Sequence, residues 1–333
     1  MIITRTPYRL SFFGGGTDYN AWFEGNGGLV LAAAIARYCY ISVRRLPPFF
    51  EHKSRIVYSQ VESVRDHDEI HHPAVRGCLS YLKFDDGLEI HHDGDLPARS
   101  GIGSSSAFTV GLLNALHGLR ARLVDKRELA EQAIYVEHNV LQESVGVQDQ
   151  IMAAFGGFQI LELGPGKKWQ TQELLAPDDY LQSLEQHVLM GFSGISRTAD
   201  RHAKAKIENI LQGKTTQELT DIQAIATEAV TLVKRQGNFE ELGRLLDRSW
   251  QLKKRLAAGL STDWMDELYE TALHNGAFGG KLMGAGGGGF FFFLAPPYRH
   301  EAIKRALSQI KVWVPFKVDF SGSRVIFLDS SRS

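Results

Sequence analysis

Leu96 to Phe108 reads LPARSGIGSSSAF, two spaced glycines and three consecutive serines that run straight into an apolar stretch. A helix beginning here presents unpaired N–H groups and about half a positive charge to whatever precedes it. Gly101 and Gly103 let the backbone wrap an oxyanion, and Ser104, Ser105 and Ser106 add hydroxyl donors, so phosphate is the natural guest. An ordinary serine N-cap would explain one serine, but not three preceded by two glycines. No G-x-x-x-x-G-K-[ST] occurs, which excludes a Walker loop, and Ser106 fills the third glycine position of a dinucleotide fingerprint. The literal G-x-G-x-x-G lies at Gly284, Gly286 and Gly289, yet FFFFLA follows it and reads as a strand where that motif needs a helix. No G-x-S-x-G elbow supports an acyl-transfer reading of the serines.

Two acids follow. Glu137 sits within the apolar stripe of a helix expected over about 125–142, near Ala133, Ile134, Val140 and Leu141. A carboxylate there needs a cation or hydrogen-bond donors; magnesium beside a bound phosphate meets that need, and a core arginine is the alternative. Asp149, in ESVGVQDQIMAAFGG, opens a short apolar helix. It could simply cap that helix, and its nearness in sequence to Glu137 makes a shared site possible. Before both stands RLSFFGGGTDYN, Arg9 to Asn20, where three glycines follow an apolar strand and lead to Thr17 and Asp18. Such a triplet implies positive φ or close approach to the main chain, as where a ligand sits.

These residues must be positioned by a mixed α/β first half. Strands are expected at 2–13 with Pro7 near an edge, within 29–45, and at 55–60 and 88–93. A buried helix is expected over 104–122, and a second one opens at Asp125 as N-cap. The second half reads as a strand at 187–192, then a helical run over 197–257 with breaks near Gly213 and Gly237, and a further helix at 262–275. FGGKLMGAGGGGFFFFL reads as two hairpin strands around a glycine loop, with helix 298–310 and strands 312–319 and 323–328 after it. Surface loops at LGPGKKWQ and APDDY place a domain boundary near 165–190. The Phe290–Phe293 run suits a buried strand. The pairs His71–His72 and His91–His92 suit loops and strand ends better than a metal site.

Composition sets the class. A chain of 333 residues that is 44% apolar and 23% charged is ordinary for a globular protein with ample core. A formal charge of −1 lacks the basic excess of a nucleic-acid binder. The two cysteines, Cys39 and Cys78, fit no zinc or disulfide framework, which points to a reducing, cytoplasmic setting. MIITRTPYRL lacks a signal-peptide run, and no apolar stretch reaches the roughly 20 residues of a membrane helix. The expectation is an enzyme with neither nucleic acid nor membrane as partner, monomer or homodimer.

Taken in order, the three clusters resemble the motifs of the GHMP kinases, the superfamily of galactokinase, homoserine kinase, mevalonate kinase and phosphomevalonate kinase. The matching stretches are PYRLSFFGGGTD from Pro7 to Asp18, PARSGIGSSS from Pro97 to Ser106, and KLMGAGGGG from Lys281 to Gly289. The resemblance implies an α+β, two-domain GHMP kinase fold. A ribosomal-S5-like α/β domain would occupy 1–185 and a ferredoxin-like α+β domain 186–333. It also implies ATP and Mg²⁺. Pro97, Gly101, Ile102, Gly103, Ser104, Ser105 and Ser106 would wrap the ATP phosphates, and Ser105 with Glu137 would hold the metal. Asp149 matches the catalytic aspartate that accepts or orients the attacking hydroxyl, with Arg9 beside it. The third loop, Gly284, Gly286, Gly287 and Gly288, would close over the site.

Galactokinase-like members read G-E-H-x-D in the first motif. Here Gly15 and Gly16 replace the acid and the histidine, which leaves Thr17 and Asp18 to grip hydroxyls while the ring lies close to the backbone. That form resembles the bacterial D-glycero-D-manno-heptose 7-phosphate kinases and their fucokinase-like relatives. The former phosphorylate the anomeric oxygen to a 1,7-bisphosphate on the way to nucleotide-activated heptose for surface polysaccharide. A sugar-phosphate substrate requires another cationic site. FSGISRTADRHAKAK offers Arg197 at a helix start with Ser193 and Ser196 as caps, although a solvated basic helix start reads equally well; Lys281 is a second candidate. A kinase for free L-fucose or galactose, or a silent sugar- or ATP-binding sensor, are the rival readings.

Overall fold

The computed structural model describes residues 1–194, 200–284 and 286–329. The strands β1 (Ile2–Phe13), β2 (Gly28–Arg45), β3 (Ser54–Val57), β4 (Val61–Val64), β5 (Leu88–Gly94), β6 (Phe158–Gly164) and β7 (Lys168–Glu173) build one sheet. A second is made of β8 (Val188–Phe192), β9 (Gly279–Leu282), β10 (Phe290–Leu294) and β11 (Val312–Val314), while β12 (Arg324–Leu328) returns to the first. The helices before β8 are α1 (Asn20–Asn26), α2 (Pro73–Tyr81), α3 (Ser104–Leu119), α4 (Lys126–Tyr135), α5 (Gln148–Phe155) and α6 (Asp178–His187). Those after it are α7 (Asp200–Leu211), α8 (Thr216–Lys234), α9 (Phe239–Lys254), α10 (Asp263–His274) and α11 (His300–Ala306).

The first sheet runs β12-β1-β2-β5-β3-β4. The long β2 serves two neighbours: its second half pairs with β5 and its first half with β6, which carries β7. Leu31 to Ile35 are buried without alternation because β2 is covered on both faces, by α3 and α5 and by α8. The beginning of β2, ambiguous in the sequence, is therefore strand throughout. Pro7 lies beyond Arg5, where pairing with β12 stops, so β2 is its strand partner there and its missing N–H leaves no bond to β12 unmade. LGPGKKWQ is the turn of the β6–β7 hairpin rather than an interdomain loop. The expected division at 185/186 falls inside α6, and β12 crosses it.

The second sheet runs β11-β8-β10-β9, antiparallel throughout, so the two flanks of the glycine loop pair as a hairpin. Phe290 to Phe293 are fully buried in it. Phe12 of β1 joins the sheets, with ring centroids 5.2 Å from Phe158, 5.3 Å from Phe292 and 5.9 Å from Phe316. Truncating such a residue costs about 3–5 kcal/mol. Asp125 caps α4 by accepting from the Glu128 amide at 2.7 Å. The long helical run divides into α7, α8 and α9 at Gly213 and Gly237.

The glycine triplet is built for packing. Gly14 has φ +80°, and a Cβ there would lie 1.8 Å from the Leu29 carbonyl oxygen of β2. At Gly16 a Cβ would press on Leu219 of α8 and on Leu256 at 3.2 Å each. Gly15 alone meets side-chain atoms with no strained φ, the nearest being Ser11 Oγ at 3.1 Å. Gly14→Ala is expected to cost about 3 kcal/mol or more, whereas Gly15→Ala should leave the thermal midpoint nearly unchanged. Unfolding curves of the two variants check this, and equal midpoints would contradict it.

Candidate active site

Arg9 leaves β1 as a buried guanidinium that grips three acceptors. Nε donates to Asp149 Oδ1 at 2.7 Å and Nη2 to Asp149 Oδ2 at 2.8 Å, a bidentate pair. Its Nη1 donates to the Gly101 carbonyl at 2.6 Å, and its backbone N–H to the Ile102 carbonyl at 3.0 Å. The serine-rich loop is thus tied to the strand by both main chain and side chain of one residue. Gly103 stands against the pair: a Cβ would lie 3.3 Å from Arg9 Cγ and from Asp149 Cγ. It is also the N-cap of α3, in left-handed conformation. Helical pairing then starts at Ala107, whose N–H reaches the Gly103 carbonyl at 2.9 Å. The preceding amides of Ser104, Ser105 and Ser106 belong to the unpaired first turn, the geometry of an anion cradle.

The third cluster packs on the second. The Phe290 N–H donates to the Ser100 carbonyl at 3.0 Å, and a Cβ on Gly284 would lie 2.4 Å from Gly101 Cα. Beyond it, the Gly287 N–H reaches the Leu260 carbonyl at 3.1 Å, and the Gly289 N–H reaches Ser193 Oγ at 3.2 Å. Pro97 accepts from Ser100 Oγ at 2.6 Å, which shapes the approach to the loop.

Glu137 occupies a π-helical turn, Val136–Val140, that ends α4; such turns displace a side chain from the regular helical face. It is fully buried. Its Oε2 accepts from Ser106 Oγ at 2.9 Å and from Gln150 Nε2, whereas its Oε1 has no hydrogen-bond partner. Burial, with Glu143 next in effect, pushes its pKa up to about 8. An orphaned carboxylate oxygen beside a serine hydroxyl and next to a phosphate cradle fits a hard divalent cation. The serine brought to Glu137 is Ser106; Ser105 is exposed.

Asp18 is buried beside this centre. It accepts from the Gly16 N–H and from Gln148 Nε2, both at 2.9 Å. Burial raises its pKa, and the charge of Asp149 adds to the rise. Gln148 Oε1 and Ser11 Oγ, close to it, are buried without hydrogen-bond partners. Thr17 is committed elsewhere. Its hydroxyl donates to the Gly14 and Leu29 carbonyls at 2.8 and 3.2 Å and accepts from the Leu29 N–H, which makes it a fastener of the triplet rather than a hydroxyl grip.

Lys281 of β9 is buried and donates to the Phe12 carbonyl at 2.9 Å. Arg197 lies outside the described residues. Two cations in the centre were not anticipated. Lys253 of α9 is buried and donates to the carbonyls of Leu282 at 3.1 Å and Gly284 at 2.9 Å. Lys206 of α7 is 3% exposed, with Nζ 6.0 Å from the Tyr19 ring centroid. A signal for both was present. Lys206 falls three residues after Ala203 and four before Ile210, and Lys253 three after Trp250, so each is a lysine on an otherwise apolar stripe. The histidine pairs lie apart from this centre. His72 accepts from the Val75 N–H at the start of α2 and stacks on Phe108 at 4.5 Å, while His91 and His92 belong to β5.

The chain can be compared with known proteins on this footing. The GHMP kinases N terminal domain matches residues 72–157 and the GHMP kinases C terminal domain residues 225–311, together just over half of the chain. D-glycero-alpha-D-manno-heptose 7-phosphate kinase of Campylobacter jejuni is 29% identical over 96% of each chain. Among solved structures, a D-glycero-D-manno-heptose 1-phosphate kinase from Bacteroides thetaiotaomicron superposes with a TM-score of 0.80 at 23% identity, covering 99% of this chain and 100% of that one. Lactococcus lactis galactokinase complexed with galactose gives 0.75 at 19% identity, covering 97% and 94%. These two likenesses concern the fold. No helix among the described residues is long and apolar enough to cross a membrane.

Proposed function

As this chain belongs to the GHMP kinases, phosphotransferases with an alcohol acceptor that use ATP, we propose that it phosphorylates the anomeric hydroxyl of D-glycero-D-manno-heptose 7-phosphate. The product is the 1,7-bisphosphate, on the way to nucleotide-activated heptose for surface polysaccharide. The observation that carries the reading is the bidentate Arg9–Asp149 pair set directly against the Gly101–Gly103 loop. The relative named as a heptose 7-phosphate kinase, similar along 96% of the chain, supports the choice of sugar.

Phosphoryl transfer passes through a loose transition state, so the protein mostly positions and neutralises. The amides of Ser104, Ser105 and Ser106 hold the phosphates of ATP at the start of α3. Asp149, fixed on both oxygens by Arg9, accepts the proton of the anomeric hydroxyl. The freed oxygen attacks the γ-phosphorus, the bond to the β,γ-bridging oxygen breaks, and ADP leaves. An anomeric hydroxyl is more acidic than an ordinary alcohol, which lowers the demand on this base. Arg9 offsets charge near the acceptor oxygen, and Asp18 orients sugar hydroxyls. Glu137, with Ser106 beside it, would hold Mg²⁺, which when bound neutralises phosphate charge.

Incubation with ATP and candidate sugars, followed by ³¹P NMR, tests this. A new anomeric phosphate resonance on heptose 7-phosphate is expected. Equal kcat/KM for L-fucose or galactose, or no transfer to heptose 7-phosphate, would overturn it.

A further inference from the structure

Among the described residues, Arg9, Lys206, Lys253 and Lys281 lie on the acceptor side of this centre with the carboxylates of Asp18 and Asp149. Arg9 is spent on Asp149, so Lys206, Lys253 and Lys281 share the field of Asp18. Lys253 and Lys281 have backbone carbonyls to donate to. Among the described residues, Lys206 has neither a hydrogen-bond acceptor nor an ion-pair partner, only the Tyr19 ring beneath it. That ring also lies in the fields of Asp18, Asp149 and Arg9.

Burying an ammonium with no anion is costly unless something negative arrives. Burial accordingly lowers the pKa of Lys206 to about 8 and that of Lys281 to about 7. Both lie in the field of Asp18, and a dianion bound beside it would reverse both shifts and offset the excess charge. Hydrophobic packing alone would have put an apolar residue at position 206, on the stripe that Ala203 and Ile210 continue.

We propose that Lys206, with Lys281, receives the phosphate group the acceptor already carries and so sets the preference for a phosphorylated over a free sugar. This rests on the heptose 7-phosphate reading above and gives the phosphate a receptor that does not need Arg197. The site would take a phosphate monoester dianion on a polyhydroxylated acceptor. Lys253 keeps the glycine-rich loop in place and contributes only its field.

The test is Lys206→Met, which keeps an unbranched apolar stem and removes the charge that faces the Tyr19 ring. The KM for heptose 7-phosphate is expected to rise by roughly 30-fold or more, with kcat/KM for the unphosphorylated heptose within about threefold of wild type. Lys206→Arg should restore part of the loss. A wild-type enzyme that prefers the phosphorylated sugar, with a Lys206→Met variant of the same preference, would overturn this inference and leave the function standing. A wild-type enzyme without that preference would overturn the function. A binding measurement independent of turnover is inorganic phosphate titrated calorimetrically into protein saturated with a non-hydrolysable ATP analogue. Its midpoint should rise at least tenfold in the variant, and an unchanged midpoint would overturn the assignment.

Discussion

Asp149→Asn is expected to lower kcat by at least ~10³-fold while leaving the dissociation constant for ATP within about threefold. The proton acceptor is lost, and the amide that replaces it turns an N–H₂ toward one arm of Arg9, where the carboxylate had accepted two hydrogen bonds. The loop that holds ATP does not depend on that carboxylate. Arg9 remains bonded to the Gly101 carbonyl through Nη1 and to the Ile102 carbonyl through its own N–H. Some stability is also lost, because Arg9 is buried while Asp149 is 24% exposed; about 2 kcal/mol is a fair expectation for a half-desolvated pair. Steady-state rates, calorimetric ATP binding and a thermal midpoint on the same preparation separate the effects. A variant that turns over near the wild-type rate would remove Asp149 from the chemistry.

Glu137→Gln carries the second large effect, and it has a pH signature. In the unfolded chain this carboxyl ionises near its ordinary value of 4.5, whereas in the fold burial holds the proton on until about pH 8. Across that window the folded state binds more protons than the unfolded one, so without metal the native state weakens as pH rises through it. At ~1.4 kcal/mol per unit, the slope amounts to a few kcal/mol at most. The midpoint of the metal-free wild type is therefore expected to fall from about pH 5 to pH 8 more than that of Glu137→Gln, whose side chain does not titrate. Mg²⁺ with ATP should restore the wild type at the alkaline end and raise the midpoint of the variant no further than ATP alone does, and kcat of the variant should drop by at least ~10²-fold. Identical pH slopes, or an unimpaired Mg²⁺ response in the variant, would show that Glu137 holds no metal.

Part of this centre could be read from the sequence because it is local. The glycines and serines of 101–106 are a short pattern whose chemistry follows from backbone geometry, whereas the roles of Arg9 and Asp149 are implied only by the family resemblance. What could not be read depends on contacts distant in sequence. A glycine triplet signals close approach without saying of what, and here Leu29, Leu219 and Leu256 answer for two of its members. The facing of Glu137 is set by a π-helical turn that a regular 3.6-residue period does not anticipate, and the serine that meets it is Ser106 instead of Ser105. Lys206 and Lys253 lie in the helical run over 197–257, where the sequence marks only Arg197 for a site. Their burial depends on what the far end of the chain brings against Tyr19 and Gly284. Short elements such as β4 and α2 carried too few residues for their period to stand out.

The pairing of β12 with β1 governs the order in which the protein becomes competent. Ile2 to Arg5 meet their outer partner only in Arg324 to Leu328. The same returning segment braces the end of α5, where the Gly157 N–H donates to the Asp319 carbonyl at 2.6 Å and the Ser323 N–H to the Ala153 carbonyl at 2.9 Å. At roughly 5–20 residues per second, a ribosome needs some tens of seconds between making β1 and making that brace. Once α5 has been made, the phosphate loop has its strand and helix, while the helix bearing Asp149 keeps a loose end until the last residues arrive. The nascent chain thus gains its nucleotide cradle early and the support of its acceptor-facing acid last.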